Sequence, residues 1–122
     1  MHKPAGYPDV SAYLVVEDAQ ATLDFAQAVF GGTSLRVIKD DAGAILHAET
    51  RIGDSVVMMG QSTGAPGAHL HLYLADAEAA FARAVAQGAE IVQELTRKAD
   101  GDLRGGVRDG NGTTWWIARE DG

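Results

Sequence analysis

Two histidines, His69 and His71, lie two residues apart in the run His-Leu-His-Leu-Tyr-Leu that spans 69–74. Alternate side chains of a strand share a face, so both imidazoles and Tyr73 point the same way. A pair so spaced can chelate zinc or iron, and Glu49 brought up to it would complete two histidines and a carboxylate. The same imidazoles can instead hydrogen-bond within a cleft and coordinate nothing. A second group, His47-Ala48-Glu49-Thr50-Arg51, sets a histidine and a glutamate on one strand face with an arginine next in line. That is an acid/base pair if it faces a ligand, and a solvated edge with a weak exposed ion pair if it does not. Trp115 and Trp116 are adjacent and so point to opposite faces. One belongs under a helix; Trp116 either offers a stacking platform to a planar ligand or fills a core. Met58 and Met59 read as packing residues.

The remaining composition narrows the chemistry. No cysteine is present, which excludes disulfides, thiolate metal sites and cysteine nucleophiles. Fifteen glycines occur, yet none forms a phosphate-binding Gly-x-x-x-x-Gly-Lys-Ser/Thr or a Gly-x-Gly-x-x-Gly after a strand. Gly-x-Ser-x-Gly is absent too. A net charge of −7 argues against nucleic acid and anionic membranes as partners, and would steer a cationic ligand inward. With no signal-like start and no apolar run near the ~20 residues of a span, a cytoplasmic protein is expected.

Positioning these residues falls to a pattern of elements that occurs twice. Residues 10–16 read as a strand ending at Asp18, a helix N-cap. A helix follows over 19–30, with Ala19, Leu23, Ala26 and Phe30 at helical spacing and Gly31-Gly32 as its stop. Residues 69–74 are again a strand, Asp76 a second cap, and a second helix runs to Gly88 with Ala77, Phe81, Ala84 and Val85 on its apolar stripe. The caps are separated by 76 − 18 = 58 residues. Strand-like stretches follow each helix: 33–38, 44–52 and 55–60, then 90–95, 103–109 and 113–119. Gly105-Gly106 marks a bulge or a close strand approach. The segment 61–67 has the composition of a flexible linker. The expectation is an α+β fold: two tandem βαβββ modules, about 8–60 and 68–120, in a single domain over 1–122 whose curved mixed sheet encloses a cleft, with helices outside. Leu70, Leu72 and Leu74 go beneath the helix, as do Ala12, Leu14 and Val16. Ser11, Tyr13, His69, His71, Tyr73 and Trp116 are left to line the cleft.

Three stretches carry a family resemblance: strand-Asp18-helix-Phe30-Gly31-Gly32; His69-Leu-His-Leu-Tyr-Leu-Ala-Asp76-helix-Gly88-Ala89; and Val107-Arg-Asp-Gly-Asn-Gly-Thr-Thr-Trp-Trp116. They resemble the vicinal oxygen chelate superfamily of glyoxalase I, extradiol dioxygenases, fosfomycin-resistance proteins and bleomycin-binding proteins. His47-Ala48-Glu49, Arg51 to Ser55 and Trp115 to Ala118 are most similar to its small PhnB-like members. Gly110 stands where the family's Asp-Pro-x-Gly-Asn turn has proline. The resemblance implies four inward metal-ligand positions in metal-using members, which map here onto Ser11, Val57, His69 and Trp116. Of these His69 alone keeps a family ligand, and valine and tryptophan cannot bind an ion.

The expected function is therefore a metal-independent small-molecule binding protein without cofactor, sequestering a planar or cationic compound. Ser11, Tyr13, Val57, His69, His71, Tyr73 and Trp116 would contact the ligand, and His47 and Glu49 would be polar anchors or catalytic candidates. The alternatives are a glyoxalase-like lyase or isomerase, or a dioxygenase-like member, with one divalent metal ion on His69, His71 and Glu49, or metal-free acid/base chemistry; and a dimeric structural domain without ligand. The resemblance also implies a homodimer.

Overall fold

In the computed structural model, which describes residues 3–64, 67–99 and 101–121, the expected elements form in the expected order. The chain divides into two compact units, Met1–Ala65 and Pro66–Gly122. The expected linker loses Gln61 to a strand, and its residues 65 and 66 lie outside the described residues.

Unit one begins with β1 (Ala12–Val16) and α1 (Ala19–Phe30). The helix starts where the Asp18 carboxylate accepts the Ala21 N–H at 3.1 Å, satisfying one of the donors a first turn leaves open. It stops at Gly31, whose φ of 70° is the left-handed conformation that glycine takes without a Cβ penalty. Three strands follow, β2 (Thr33–Lys39), β3 (Ile45–Ile52) and β4 (Ser55–Gln61). They assemble in the order β1-β4-β3-β2, with β1 parallel to β4 and the other pairs antiparallel. Ala19, Leu23, Ala26 and Val29 of α1 are buried, as are Leu14, Val16, Ala48 and Met59 of the sheet. These two apolar sets give one face of the sheet to the helix and leave the other open.

Unit two repeats the plan with β5 (His69–Tyr73), α2 (Ala77–Ala86), β6 (Glu90–Arg97), β7 (Leu103–Arg108) and β8 (Thr114–Arg119). Its sheet order is β5-β8-β7-β6, with β5 parallel to β8. Trp115 and Ile117 are fully buried, beside Phe81 and Ala84 of α2. Asp76 flanks α2 but makes no capping bond with its side chain, which instead holds Arg83 at 2.9 Å. That corrects its expected role: an arginine seven residues on competes for the carboxylate.

Gly105 marks the close approach foreseen at the glycine pair. A Cβ there would stand 2.9 Å from Leu95 Cα and 2.7 Å from the Phe81 ring. Gly105→Ala should cost about 1–3 kcal/mol in urea denaturation, because a backbone neighbour cannot rotate away; an unchanged midpoint would contradict this packing. Among the described residues no helix is long and apolar enough to cross a membrane.

Candidate functional site

The open face of unit one is built by three strands in register. Tyr13 pairs with Met58, and Met58 with Glu49, so these side chains share the face that α1 does not cover. Val57 pairs with Ala12 and Thr50 instead and is 7 % exposed, on the helix side. Val57 therefore lies on the helix side and not on the open face where it is expected, and Met58 is the residue of β4 that lies there. The resemblance places the counterpart of Trp116 at Val57, but the strands repeat at 116 − 58 = 58, as the two caps do, which makes Met58 the counterpart. A one-residue slip turns a strand's side chain to the opposite face.

Glu49 sits at the centre of this face and is only 3 % exposed. His47 Nε2 lies 2.7 Å from its Oε2, and the Tyr7 hydroxyl donates to its Oε1. Burial pushes the carboxyl up, but the hydrogen bonds from His47 and Tyr7, aided by the charges of His47 and Arg36, outweigh it. Glu49 is held below the usual carboxylate range and is ionised on the wall of the sheet's open face. His47 and Glu49 are therefore joined, as an acid/base pair requires, and the carboxylate is no solvated edge. Tyr7 belongs to the segment 3–9 that precedes β1. A turn from Pro4 to Tyr7, closed by the Tyr7 N–H to Pro4 carbonyl bond at 3.3 Å and carried by Gly6 at φ 83°, presents its ring. Between this segment and the sheet lies a cavity of about 550 Å³, lined by Tyr7, Ser11, Tyr13, Arg36, Glu49 and Met58. That volume suits a small organic molecule.

Tyr7 has a raised phenol pKa, chiefly because ionisation forfeits its bond to Glu49, and then because of burial and the carboxylate's charge. Tyr73 is raised in the same way by Asp102. In an absorbance titration Tyr7→Phe and Tyr73→Phe should each remove a phenol that ionises later than the ordinary ~10. Loss of a phenol titrating at the ordinary value would contradict the Tyr7–Glu49 bond.

The open face of unit two carries the other expected residues. His71 pairs with Trp116 across β5 and β8, and His69 and Tyr73 flank it on the same side. Trp116 pairs with Gly106, where a Cβ would stand 2.7 Å from the indole ring. The His69 and Trp116 rings are nearly parallel at 13°, and Trp116 Nε1 donates to His69 Nδ1 at 3.2 Å. Arg104 Nε donates to His71 Nε2 at 3.0 Å, while its Nη2 reaches Asp102 at 2.8 Å. The Tyr73 hydroxyl donates to the same Asp102 oxygen at 2.8 Å. Burial and the Arg104 charge lower the His71 pKa, against a smaller opposing pull from Asp102. Because Arg104 donates to Nε2, that nitrogen carries the lone pair, the arrangement of a neutral imidazole with its proton on Nδ1.

These bonds bear on the metal question. Each histidine already gives the lone pair of one ring nitrogen to a donor, His69 to Trp116 and His71 to Arg104. Both carboxylate oxygens of Glu49 are engaged within unit one. The positions to which the family resemblance assigns ligands hold Ser11, Val57, His69 and Trp116, and with Met58 in place of Val57, as the strand register has it, the donor set still does not fit a divalent ion. Among the described residues no three His, Asp or Glu side chains are grouped to hold one.

Tyr7, Arg36, Asp102 and Arg104 escaped the sequence reading. Arg104 alone left a signal, since Arg104, Gly106 and Arg108 alternate along β7 on the face of Trp116.

Comparison with known proteins places this geometry. A protein of Mycobacterium bovis is 31 % identical over 126 residues, covering 92 % of this chain and 83 % of that one. TioX from Micromonospora sp. ML1 superposes with a TM-score of 0.80 at 27 % identity, over 93 % of this chain and 98 % of TioX. A PhnB protein from Bacillus cereus shares the fold, with a TM-score of 0.68 at 16 % identity over 92 % and 99 % of the two chains. A sequence model matches residues 10–117. With two βαβββ units and that match across almost all its length, the chain belongs to the Glyoxalase/Bleomycin resistance protein/Dioxygenase superfamily.

Proposed function

We propose that this protein binds a planar or cationic small molecule without a metal ion, and that Glu49 anchors the ligand. The observation that carries this reading is a buried, ionised carboxylate on the wall of a 550 Å³ cavity that Tyr13 also lines from the sheet. A fixed negative charge on the wall of a partly enclosed cavity attracts a cation more strongly than the same charge on an open surface. Tyrosine rings supply flat apolar area, and their π faces favour cations. The net charge of −7 concentrates cations near the protein. Arg36, which also lines the cavity, opposes a cation there, but its side chain is exposed and its charge helps to keep Glu49 ionised. His69, His71, Tyr73 and Trp116 give unit two a second aromatic face for the same class of ligand.

Benzamidine, a planar cation, and benzamide, its neutral counterpart, separate the reading from non-specific burial. Calorimetry should find saturable binding of benzamidine at least about tenfold tighter than benzamide, a difference of ~1.4 kcal/mol. Equal affinities, or none, would overturn it. Elemental analysis of the purified protein, before and after chelation, should find under about one equivalent of metal per two chains.

A second reading, a glyoxalase-like lyase or isomerase, rests on the 2.7 Å contact between His47 and Glu49. An ionised carboxylate beside an imidazole can pass a proton to and from a bound carbonyl compound. Turnover of such a compound that His47→Gln abolishes, with binding kept, would move the assignment there. We further propose a cytoplasmic homodimer, for which sedimentation should give about twice 12.8 kDa; a 12.8 kDa species at micromolar concentration would contradict it.

A further inference from the structure

We propose that the segment 3–9 is a displaceable strap whose Tyr7 occupies the anchor carboxylate in place of the ligand, so that Tyr7 sets the affinity of the site. This rests on the reading of Glu49 as anchor.

The strap forms one wall of the cavity through Lys3, Pro4, Tyr7 and Pro8, opposite the sheet residues Ser11, Glu49 and Met58. Among the described residues, its one side-chain hydrogen bond to the sheet runs from the Tyr7 hydroxyl to Glu49. Its other polar contacts stay within itself: Lys3 with Asp9, and the Tyr7 N–H with the Pro4 carbonyl. Asp9 is highly exposed, so that ion pair adds little. Gly6 passes beside the Arg51 guanidinium, where a Cβ would stand 3.1 Å from Nη2. The next residue before the sheet, Val10, is 83 % exposed. One latch therefore carries the strap's directional attachment.

A ligand cation needs the same carboxylate oxygen that the phenol holds. His47 remains on the second oxygen, so the site keeps its ionised form while Tyr7 leaves. Binding then exchanges one charge-assisted hydrogen bond for another and gains the attraction between opposite charges. Removing the phenol hydroxyl removes the competitor. A hydrogen bond to a charged group spans roughly 1.5–3 kcal/mol, which as an affinity exceeds tenfold.

The test compares the full chain with Tyr7→Phe and Tyr7→Ala, using benzamidine as the probe. Both variants should bind it about tenfold more tightly than the parent chain. Saturating benzamidine should also move the parent's backbone amide resonances of residues 3–9 towards random-coil positions. Affinity that falls or stays level in both variants would overturn the proposal, showing that Tyr7 touches the ligand or stands apart from it. Resonances of 3–9 that keep their positions at saturation would overturn it equally. If benzamidine binds none of the three chains, the anchor itself fails; if it binds all three alike, the strap alone does.

Discussion

Asp109→Ala is expected to lower the stability of unit two by about 3 kcal/mol or more, a larger effect than any other single carboxylate here should produce. Asp109 closes the turn between β7 and β8 and is 8 % exposed. Its Oδ1 accepts the N–H groups of Asn111 at 2.9 Å and Thr113 at 3.1 Å, and its Oδ2 accepts the Trp115 indole N–H at 2.8 Å. Trp115 and Thr113 are themselves buried, so two of the three donors have little access to replacement water. A buried donor left without partner costs about 1–3 kcal/mol, and removing one acceptor strands several at once. Asp109→Asn keeps one carbonyl acceptor and should cost less. Urea denaturation followed by tryptophan fluorescence reports on this unit directly, since both tryptophans lie in it. A loss below about 1 kcal/mol for the alanine variant would contradict the turn's role as the anchor of Trp115.

Glu49→Gln should reduce benzamidine affinity by at least about tenfold while leaving the fold intact. The amide keeps the shape of the carboxylate and can still accept the Tyr7 hydroxyl, so the strap and β3 need not move. What it loses is the charge, and with it the attraction to a cation in the partly enclosed cavity. Glu49→Ala is the less informative change, because it also strands the bonds of Tyr7 and His47. If the glutamine variant binds benzamidine as the parent does, the cation is read elsewhere.

The elements were legible because their signals are local. Asp18 followed by a helical stripe and closed by Gly31 specifies α1, and the alternation of Leu70 and Leu72 with His69 and His71 specifies both faces of β5. The pairing of His47 with Glu49 followed from their spacing on one strand. Three features were not legible, each because it depends on contacts distant in sequence. Val57 and Met58 exchange faces on a one-residue choice of register, which only the pairing of Tyr13 with Met58 decides. Asp76 has the type and place of a cap, but Arg83 claims its carboxylate. Tyr7 stands in a stretch without periodicity, and 42 residues separate it from Glu49. The site was therefore readable as a set of sheet residues but not as a cavity, since the strap that closes it carries no pattern.

Following the side-chain carboxyl carbon of Glu49 by NMR, in chain labelled with 13C-glutamate, during a benzamidine titration tests the anchor at its own atom. The Glu49 resonance should shift saturably along with the ring protons of Tyr13, and benzamide at equal concentration should leave both nearly in place. A Glu49 resonance that stays still while benzamidine saturates the protein would show that the buried carboxylate only holds its own fold together.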